Sequence, residues 1–242
     1  MVTLLLRLAA PLQAWGDESK YDIRGTRNEP TKSGVIGMLA AAMGYRRDSE
    51  KIIEMADKLR MGIRVDQPGT VIRDFHTARA PKYSSGGILK YGTDGSLIME
   101  KDSYITQRYY LCDACFLVGI ESDDRKYLET VAEALTSPVF PLYLGRRALP
   151  PSLPMVLGIQ NSDLHTALHE ADWIAAEWYK EKYKCIRARI IAETPKGQTA
   201  WYIQMDQPVS FSPIHRRYAA RGVNKEEYVF LGTPEHDPMA VL

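Results

Sequence analysis

The stretch Thr31-Lys32-Ser33-Gly34-Val35-Ile36-Gly37-Met38-Leu39-Ala40-Ala41-Ala42-Met43-Gly44 decides how the rest of the chain is read. Pro30 and Thr31 stop what precedes it. Ser33 can accept from free backbone N–H groups and so opens a helix, and Gly44 can take the left-handed conformation that closes one. After Lys32 the stretch carries no charge, and a helix apolar nearly all round is buried rather than amphipathic. Its small residues admit a neighbouring backbone, so a helix lying flat on a sheet is expected. The strand belongs just upstream, in the apolar run Val2-Thr3-Leu4-Leu5-Leu6-Arg7-Leu8.

Between strand and helix lies a long loop, Ala9 to Gly16 followed by a polar segment with Lys20, Tyr21, Arg24, Gly25, Thr26 and Arg27. A loop ending at a helix N-terminus beside Lys32 is a candidate phosphate site, because free N–H groups and the helix dipole favour anions. The plainer alternative is that Lys32 and Ser33 only solvate and cap the helix. Asn28-Glu29-Pro30-Thr31 supplies no glycine-rich cradle, which argues against P-loop nucleotide hydrolysis.

Further along, 48–60 has an amphipathic helical pattern capped by Asp48 or Ser49, and 61–66 and 70–77 alternate as strands around Gln67-Pro68-Gly69. Residues 78–104 mix Gly and Ser turn chemistry with Lys82, Tyr83, Lys90, Tyr91, Lys101 and Tyr104, a protruding hairpin whose cations and rings suit a phosphate chain and its bases. Tyr109 to Ile120 reads as one central strand, 123–136 as a helix, 139–143 as a short edge strand and 155–159 as another strand. The fold class is therefore α+β, with a ferredoxin-like (RRM-like) core carrying an inserted hairpin. Residues 161–183 form a helical linker, and 184–242 form a small β-rich C-terminal lobe. Within that lobe 184–193 pairs with 199–205, and Arg216 to Gly222 is a loop. The ferredoxin-like domain spans 1–160.

At 242 residues the chain can build a sizeable core. No run approaches the ~20 apolar residues of a membrane helix, no secretion signal is visible, and three cysteines make no disulfide framework, so the cytoplasm is the expected compartment. A net charge of +1 argues against a protein that coats naked duplex, yet leaves room for a local basic groove. The arginines fall in clusters: Arg24 and Arg27, Arg46 and Arg47, Arg146 and Arg147, and Arg216, Arg217 and Arg221. Any one such pair is more often solvated surface than an RNA contact. Cys112-Asp113-Ala114-Cys115 has metal spacing, but positions three apart on a strand face opposite ways, so these read as structural thiols. His165 and His169, at i and i+4, have no third ligand suggested by sequence and read as surface histidines. His76 shares a strand face with Asp74, and His215 sits beside Arg216, so each could support acid–base cleavage of RNA or simply pack.

Several segments, in order, resemble the CasD family, the fifth Cas protein of the type I-E CRISPR surveillance complex Cascade and part of the RAMP superfamily. They are the run from Leu6 through Pro11 to Gln13-Ala14-Trp15-Gly16, Arg24-Gly25-Thr26-Arg27, and Pro30 to Leu39. Arg73 to Thr77, Arg108 to Phe116 and Tyr143-Leu144-Gly145-Arg146-Arg147 follow. The resemblance implies a non-catalytic subunit that holds the 5′ handle of crRNA. Its 78–104 segment would be a thumb touching the backbone subunit, the large PAM-reading subunit would sit alongside, and target DNA would be reached only through the complex. No metal or cofactor is implied. The expected RNA contacts are Lys32 and Ser33, Arg24 and Arg27, Arg108 at the thumb base, Arg146 and Arg147, and Lys82 and Tyr83. Trp15 either stacks on a base or pins the loop from within. The alternative is a metal-independent endoribonuclease processing repeat RNA, for which no adjacent Lys-His pair exists in the chain.

Overall fold

The structure, a computed structural model, describes residues 1–16, 22–101, 103–212 and 215–233; Lys20 and Tyr21 of the long loop lie outside them. A six-stranded antiparallel sheet organises the chain. Its strands are β1 (Val2–Ala9), β4 (Arg60–Gln67), β7 (Cys115–Ser122), β8 (Val156–Gln160), β9 (Cys185–Ala192) and β12 (Glu227–Gly232), in the order β12-β9-β4-β7-β1-β8. Alternation along the strands splits their side chains between two cores. Leu4, Leu6 and Leu8 of β1, with Phe116, Val118 and Ile120 of β7, join the helices α1 (Lys32–Ala42), α2 (Lys51–Lys58) and α3 (Arg125–Thr136) in the main core. Leu5 and Leu117 point the other way, onto Leu164 and Leu168 of the short helix α4 (Leu164–Glu170).

A second sheet grows from the first. β4 passes through the Gly69 turn into β5 (Thr70–Ala78), which pairs along its whole length with β6 (Tyr104–Cys112). The strand expected from Tyr109 to Ile120 is in fact two, because Asp113 adopts a φ of +56° and turns the chain between the sheets. On its other edge β6 takes β2 (Leu12–Gln13) and, in parallel, β3 (Ile23–Arg24). Residues 80–100, at the far end of this ribbon, fold into three short extended segments that close a ring of backbone hydrogen bonds. Lys82 N–H donates to Ile98, Ile98 to Lys90 and Lys90 to Lys82.

The helix ends show why these residues form helices. α1 is capped by Thr31, whose side chain accepts from Gly34 N–H, and not by Ser33 as expected. At its far end Tyr45 N–H donates to the Ala40 carbonyl and Gly44 N–H, at a φ of +75°, to Ala41, the paired bonds of a glycine-terminated helix. α3 and α4 are capped by Asp124 and Asp163. α2 starts only at Lys51, without a side-chain cap.

Three further expectations are corrected. Residues 139–143 form no strand: Val139 and Phe140 donate their N–H groups to the last carbonyls of α1 instead. The 184–193 strand, β9, pairs with β4 and β12, while β10 (Tyr202–Ser210) pairs with β11 (Arg217–Val223), the segment expected to be a loop. The C-terminal β-rich segment therefore gives two of its strands to the central sheet, and only the β10–β11 hairpin stands outside it. The expected linker holds α4 and α5 (Glu177–Tyr183) around an irregular turn. That turn is held by the fully buried Arg64, which is bidentate to Asp66 and donates to the carbonyls of Leu168, Ala171 and Asp172.

Candidate nucleic-acid interface

The positive end of α1 faces protein. Asp206, on β10, accepts from the Lys32 backbone N–H at 2.9 Å, and Arg221 of β11 grips both oxygens of that carboxylate. The Lys32 ammonium is buried and lies 2.9 Å from Glu193. Burial pulls the Lys32 pKa below its ordinary value, against the pull of Glu193 in the other direction. Burial also pushes the Asp206 carboxyl up, but the Arg221 bonds and charge and the Lys32 N–H outweigh it and leave it below the usual carboxylate range. The helix dipole is thus satisfied by Asp206, and Lys32 has no free ammonium for a phosphate. The expectation of an anion site at this helix end is corrected.

Beside that end, a groove of about 1000 Å³ runs along the flank of α1. Its floor is the small-residue side of the helix, Gly34, Gly37 and Ala41. One wall is the loop Phe140–Arg147, brought there by the Val139 and Phe140 bonds to the α1 carbonyls. The other is Phe211 and Arg216 from the connection after β10, and Tyr218 from β11. The Gly44 termination of α1 delivers Tyr45, Arg46 and Arg47 to the rim, and Arg24 enters from β3. Six arginines from four separate stretches of sequence, 24, 46, 47, 146, 147 and 216, line this one cleft beside the five accessible aromatic rings of Tyr45, Phe140, Tyr143, Phe211 and Tyr218.

These arginines differ in freedom. Arg146 donates from Nη2 to the carbonyls of Arg24 and Gly25 and lies 4.5 Å from the centre of the Tyr110 ring, so it ties the wall to β3 and β6. Its Nη1 is buried without a hydrogen-bond partner among the described residues. Arg24, Arg46, Arg47, Arg147 and Arg216 are exposed, and their side chains make no ion pair or hydrogen bond among the described residues. Gly145, at a φ of +94°, lets the wall cross the Ala14 carbonyl so closely that a Cβ there would fall 1.4 Å from its oxygen. Ala14 N–H in turn donates to Leu144.

Of the expected contacts, Arg24, Ser33, Arg146 and Arg147 meet in the groove. Trp15 is 1% exposed, packed on Gly34 and bonded through Nε1 to Gln13, so it pins the loop and offers no face to a base. Arg27 pairs with Trp15 through the backbone and does not line the cleft. Arg108 stands on β6 between Asp74 and Arg24 of the adjacent strands, with its Nε buried and unpartnered. Lys82 and Tyr83 lie on the distal ribbon, away from the groove lining. Tyr45, Arg46, Arg47, Phe211, Arg216 and Tyr218 were not among the expected contacts. The Arg46-Arg47 pair, starting two residues after the helix-ending Gly44, was the available signal; the others needed the tertiary fold.

The remaining chemistry is sparse. Cys115 is buried with its thiol directed at the Ile174 carbonyl, and burial pushes its pKa up to about 12, which makes it an inert structural thiol at neutral pH. His76 Nε2 lies 2.6 Å from Asp74 on the exposed ribbon. No helix of the described residues is long and apolar enough to cross a membrane.

Comparison with known proteins fits this geometry. The profile of the family described as CRISPR-associated protein (Cas_Cas5) matches residues 3–224. The CRISPR system Cascade subunit CasD of Escherichia coli (strain K12) is 29% identical, with 95% of this chain and 96% of that protein aligned. A solved chain of a CRISPR RNA-guided surveillance complex superposes with a TM-score of 0.72 at 32% identity, covering 97% of this chain and 95% of its own. A second solved structure, described as a crystal structure of Cas protein, gives 0.64 at 36% identity over 93% and 94%. With a profile match running nearly end to end, over a cleft lined by arginines and aromatic rings, the chain belongs to the CRISPR-associated Cas_Cas5 family.

Proposed function

We propose that this protein is the CasD subunit of a type I-E Cascade, a non-catalytic RNA-binding component that works in the cytoplasm and holds the 5′ handle of crRNA in the α1 groove. The observation that carries this reading is the convergence on one open cleft of five aromatic rings and five arginines that are unpaired among the described residues. Single-stranded RNA is recognised in that way: phosphates are met by guanidinium groups, and unstacked bases lie against rings. The few, aimed contacts explain how the site coexists with a net charge of +1.

The β8-β1-β7-β4 strand order, with α1 and α2 before β4 and α3 before β8, supports reading these elements as a ferredoxin-like core. Most of the groove comes from residues 1–160, and the C-terminal strands close it. The 78–104 segment at the end of the β5–β6 ribbon is the thumb. Exposed Ile88, Tyr91 and Tyr104 within it, with Phe75 and Ile105 on the ribbon at its base, would be covered by the neighbouring backbone subunit, and Lys82 and Tyr83 would meet the crRNA there. The large PAM-reading subunit would seat beside the handle, so target DNA reaches the chain only through the assembly.

The test is binding of single-stranded RNA, matched to the 5′ ends that co-purify with the complex, across a range of salt. Replacing Arg46, Arg47 and Arg147 with alanine should weaken binding and flatten log K against log salt by up to about 2, since each phosphate contact on a single strand contributes about 0.7. An unchanged slope and affinity would remove the groove from the handle site. A ribonuclease reading has one observation in its favour, the His76–Asp74 contact. Discrete cleavage of repeat RNA in EDTA, lost in His76→Gln, would establish it against the present proposal.

A further inference from the structure

On the sheet face opposite the groove, α4 carries His165 and His169 one turn apart, their rings stacked with centroids 4.2 Å from each other. Glu227, the first residue of β12, reaches both: its Oε2 lies 2.6 Å from His165 Nε2 and 3.2 Å from His169 Nε2. The three potential donor atoms lie within 4.8 Å of one another. Their placement is set by the core. Glu227 pairs with Ile190 across β12 and β9, and Ile190 packs in one cluster with Leu164 and Leu168 of α4. The third ligand that the sequence does not suggest is thus supplied from 58 residues downstream of His169.

We propose that His165, His169 and Glu227 bind a Zn²⁺-class divalent ion that ties α4 to the edge strand β12. Bonds of about 2.0–2.1 Å to imidazole nitrogen and carboxylate oxygen, arranged tetrahedrally, put donor atoms about 3.3 Å apart. The His169–Glu227 separation already matches, and His165 needs to move away from Glu227 by well under an ångström. Without a cation, one carboxylate oxygen serves two ring nitrogens; with one, all three groups turn the same atoms onto the metal. Two imidazoles and one carboxylate suit Zn²⁺, Co²⁺, Ni²⁺ or Cu²⁺, whereas Mg²⁺ and Ca²⁺ select oxygen donors. The side chains of His165 and Glu227 are about half exposed, so the fourth position opens to water.

Tag-free, chelator-stripped full-length protein is titrated with Zn²⁺ against a chromophoric competitor, with Co²⁺ as a spectroscopic substitute. A single equivalent should bind per chain, raise the melting temperature and give a Co²⁺ spectrum without thiolate charge transfer; Mg²⁺ should do neither. His165→Gln, His169→Gln and Glu227→Gln should each weaken binding by more than about 10-fold, the least that even outer partners of a metal site cost. All three positions lie at or near the surface, so these variants keep the fold, which their unchanged metal-free melting temperature checks. His76→Gln should bind as the parent does. Absence of binding, binding that survives His165→Gln with His169→Gln, or a thiolate band from Cys112, Cys115 or Cys185 overturns the proposal. Because the site lies across the sheet from the groove, RNA affinity should be the same with and without Zn²⁺, so this test and that of the groove fail independently.

Discussion

Glu193→Gln isolates the charge that keeps Lys32 inside the protein. The substitution preserves side-chain volume and an acceptor for Met61 N–H, which lies 3.2 Å from Glu193 Oε2, and removes only the negative charge 2.9 Å from the ammonium. Stripping one partner from a buried pair costs about 3–5 kcal/mol. The loss has a ceiling, because Lys32 can escape by giving up its proton. Neutralising the amine costs about 1.36 kcal/mol per pH unit below its pKa; since burial holds that pKa under the ordinary 10.5, the ceiling is under about 5 kcal/mol at pH 7 and under about 2 kcal/mol at pH 9. The variant should therefore lose about 3–4 kcal/mol at pH 7 and less than about 2 kcal/mol at pH 9. The sign follows from proton binding. Burial lowers the pKa of folded Lys32, and loss of Glu193 lowers it further. Between that value and 10.5 the unfolded chain holds more protons, so the variant's stability climbs with pH. Urea unfolding at the two pH values reads both numbers. A loss under about 1 kcal/mol at pH 7, or an equal loss at both, would refute the account of Lys32 as a buried, charged, paired lysine.

Other outcomes follow from the same network and from the groove wall. Asp206, held below the usual carboxylate range, stabilises the fold above its unfolded pKa near 3.8 and loses that contribution as pH falls through its lower folded value. Asp206→Asn should thus weaken the protein at pH 7 and flatten its acid unfolding curve, measured by circular dichroism. Gly145→Ala must displace the wall from Ala14 and should cost about 3 kcal/mol or more in thermal or urea unfolding, with handle affinity falling alongside. Arg146→Ala should lower both stability and RNA affinity, because its guanidinium binds the Arg24 and Gly25 carbonyls, whereas Arg147→Ala should lower affinity alone. Melting temperature and a binding titration on the same samples separate the two.

Short-range signals carried most of the architecture. The apolar runs of β1 and α1, the glycine that ends α1, and the aspartates that cap α3 and α4 act within a few residues and are visible in the chain. Failures arose where a distant partner decided the outcome. Residues 139–143 have strand composition, but α1 takes the N–H groups that a ladder would need. Lys32 at a helix start looks like an anion ligand until Asp206 and Glu193, 174 and 161 residues away, are in place. Arg46 and Arg47 were visible as a basic pair, but their meeting with Arg147 and Arg216 is a property of the tertiary fold. Trp15 shows the opposite case: of two readings open in the sequence, burial against Gly34 selects the structural one.

The late arrival of Asp206 and Glu193 bears on how the subunit is made. During synthesis α1 emerges early, with its first amides unanswered and Lys32 still in water, and stays so until the ribosome has delivered the strands that carry both carboxylates. The connection and strand that follow β10 bring Phe211, Arg216 and Tyr218, the last wall of the groove. A chain cut short before β10 would lack the Asp206 anchor of the helix and the last wall of the groove together, so under the proposed function a prematurely terminated product would not compete with the finished subunit for guide RNA.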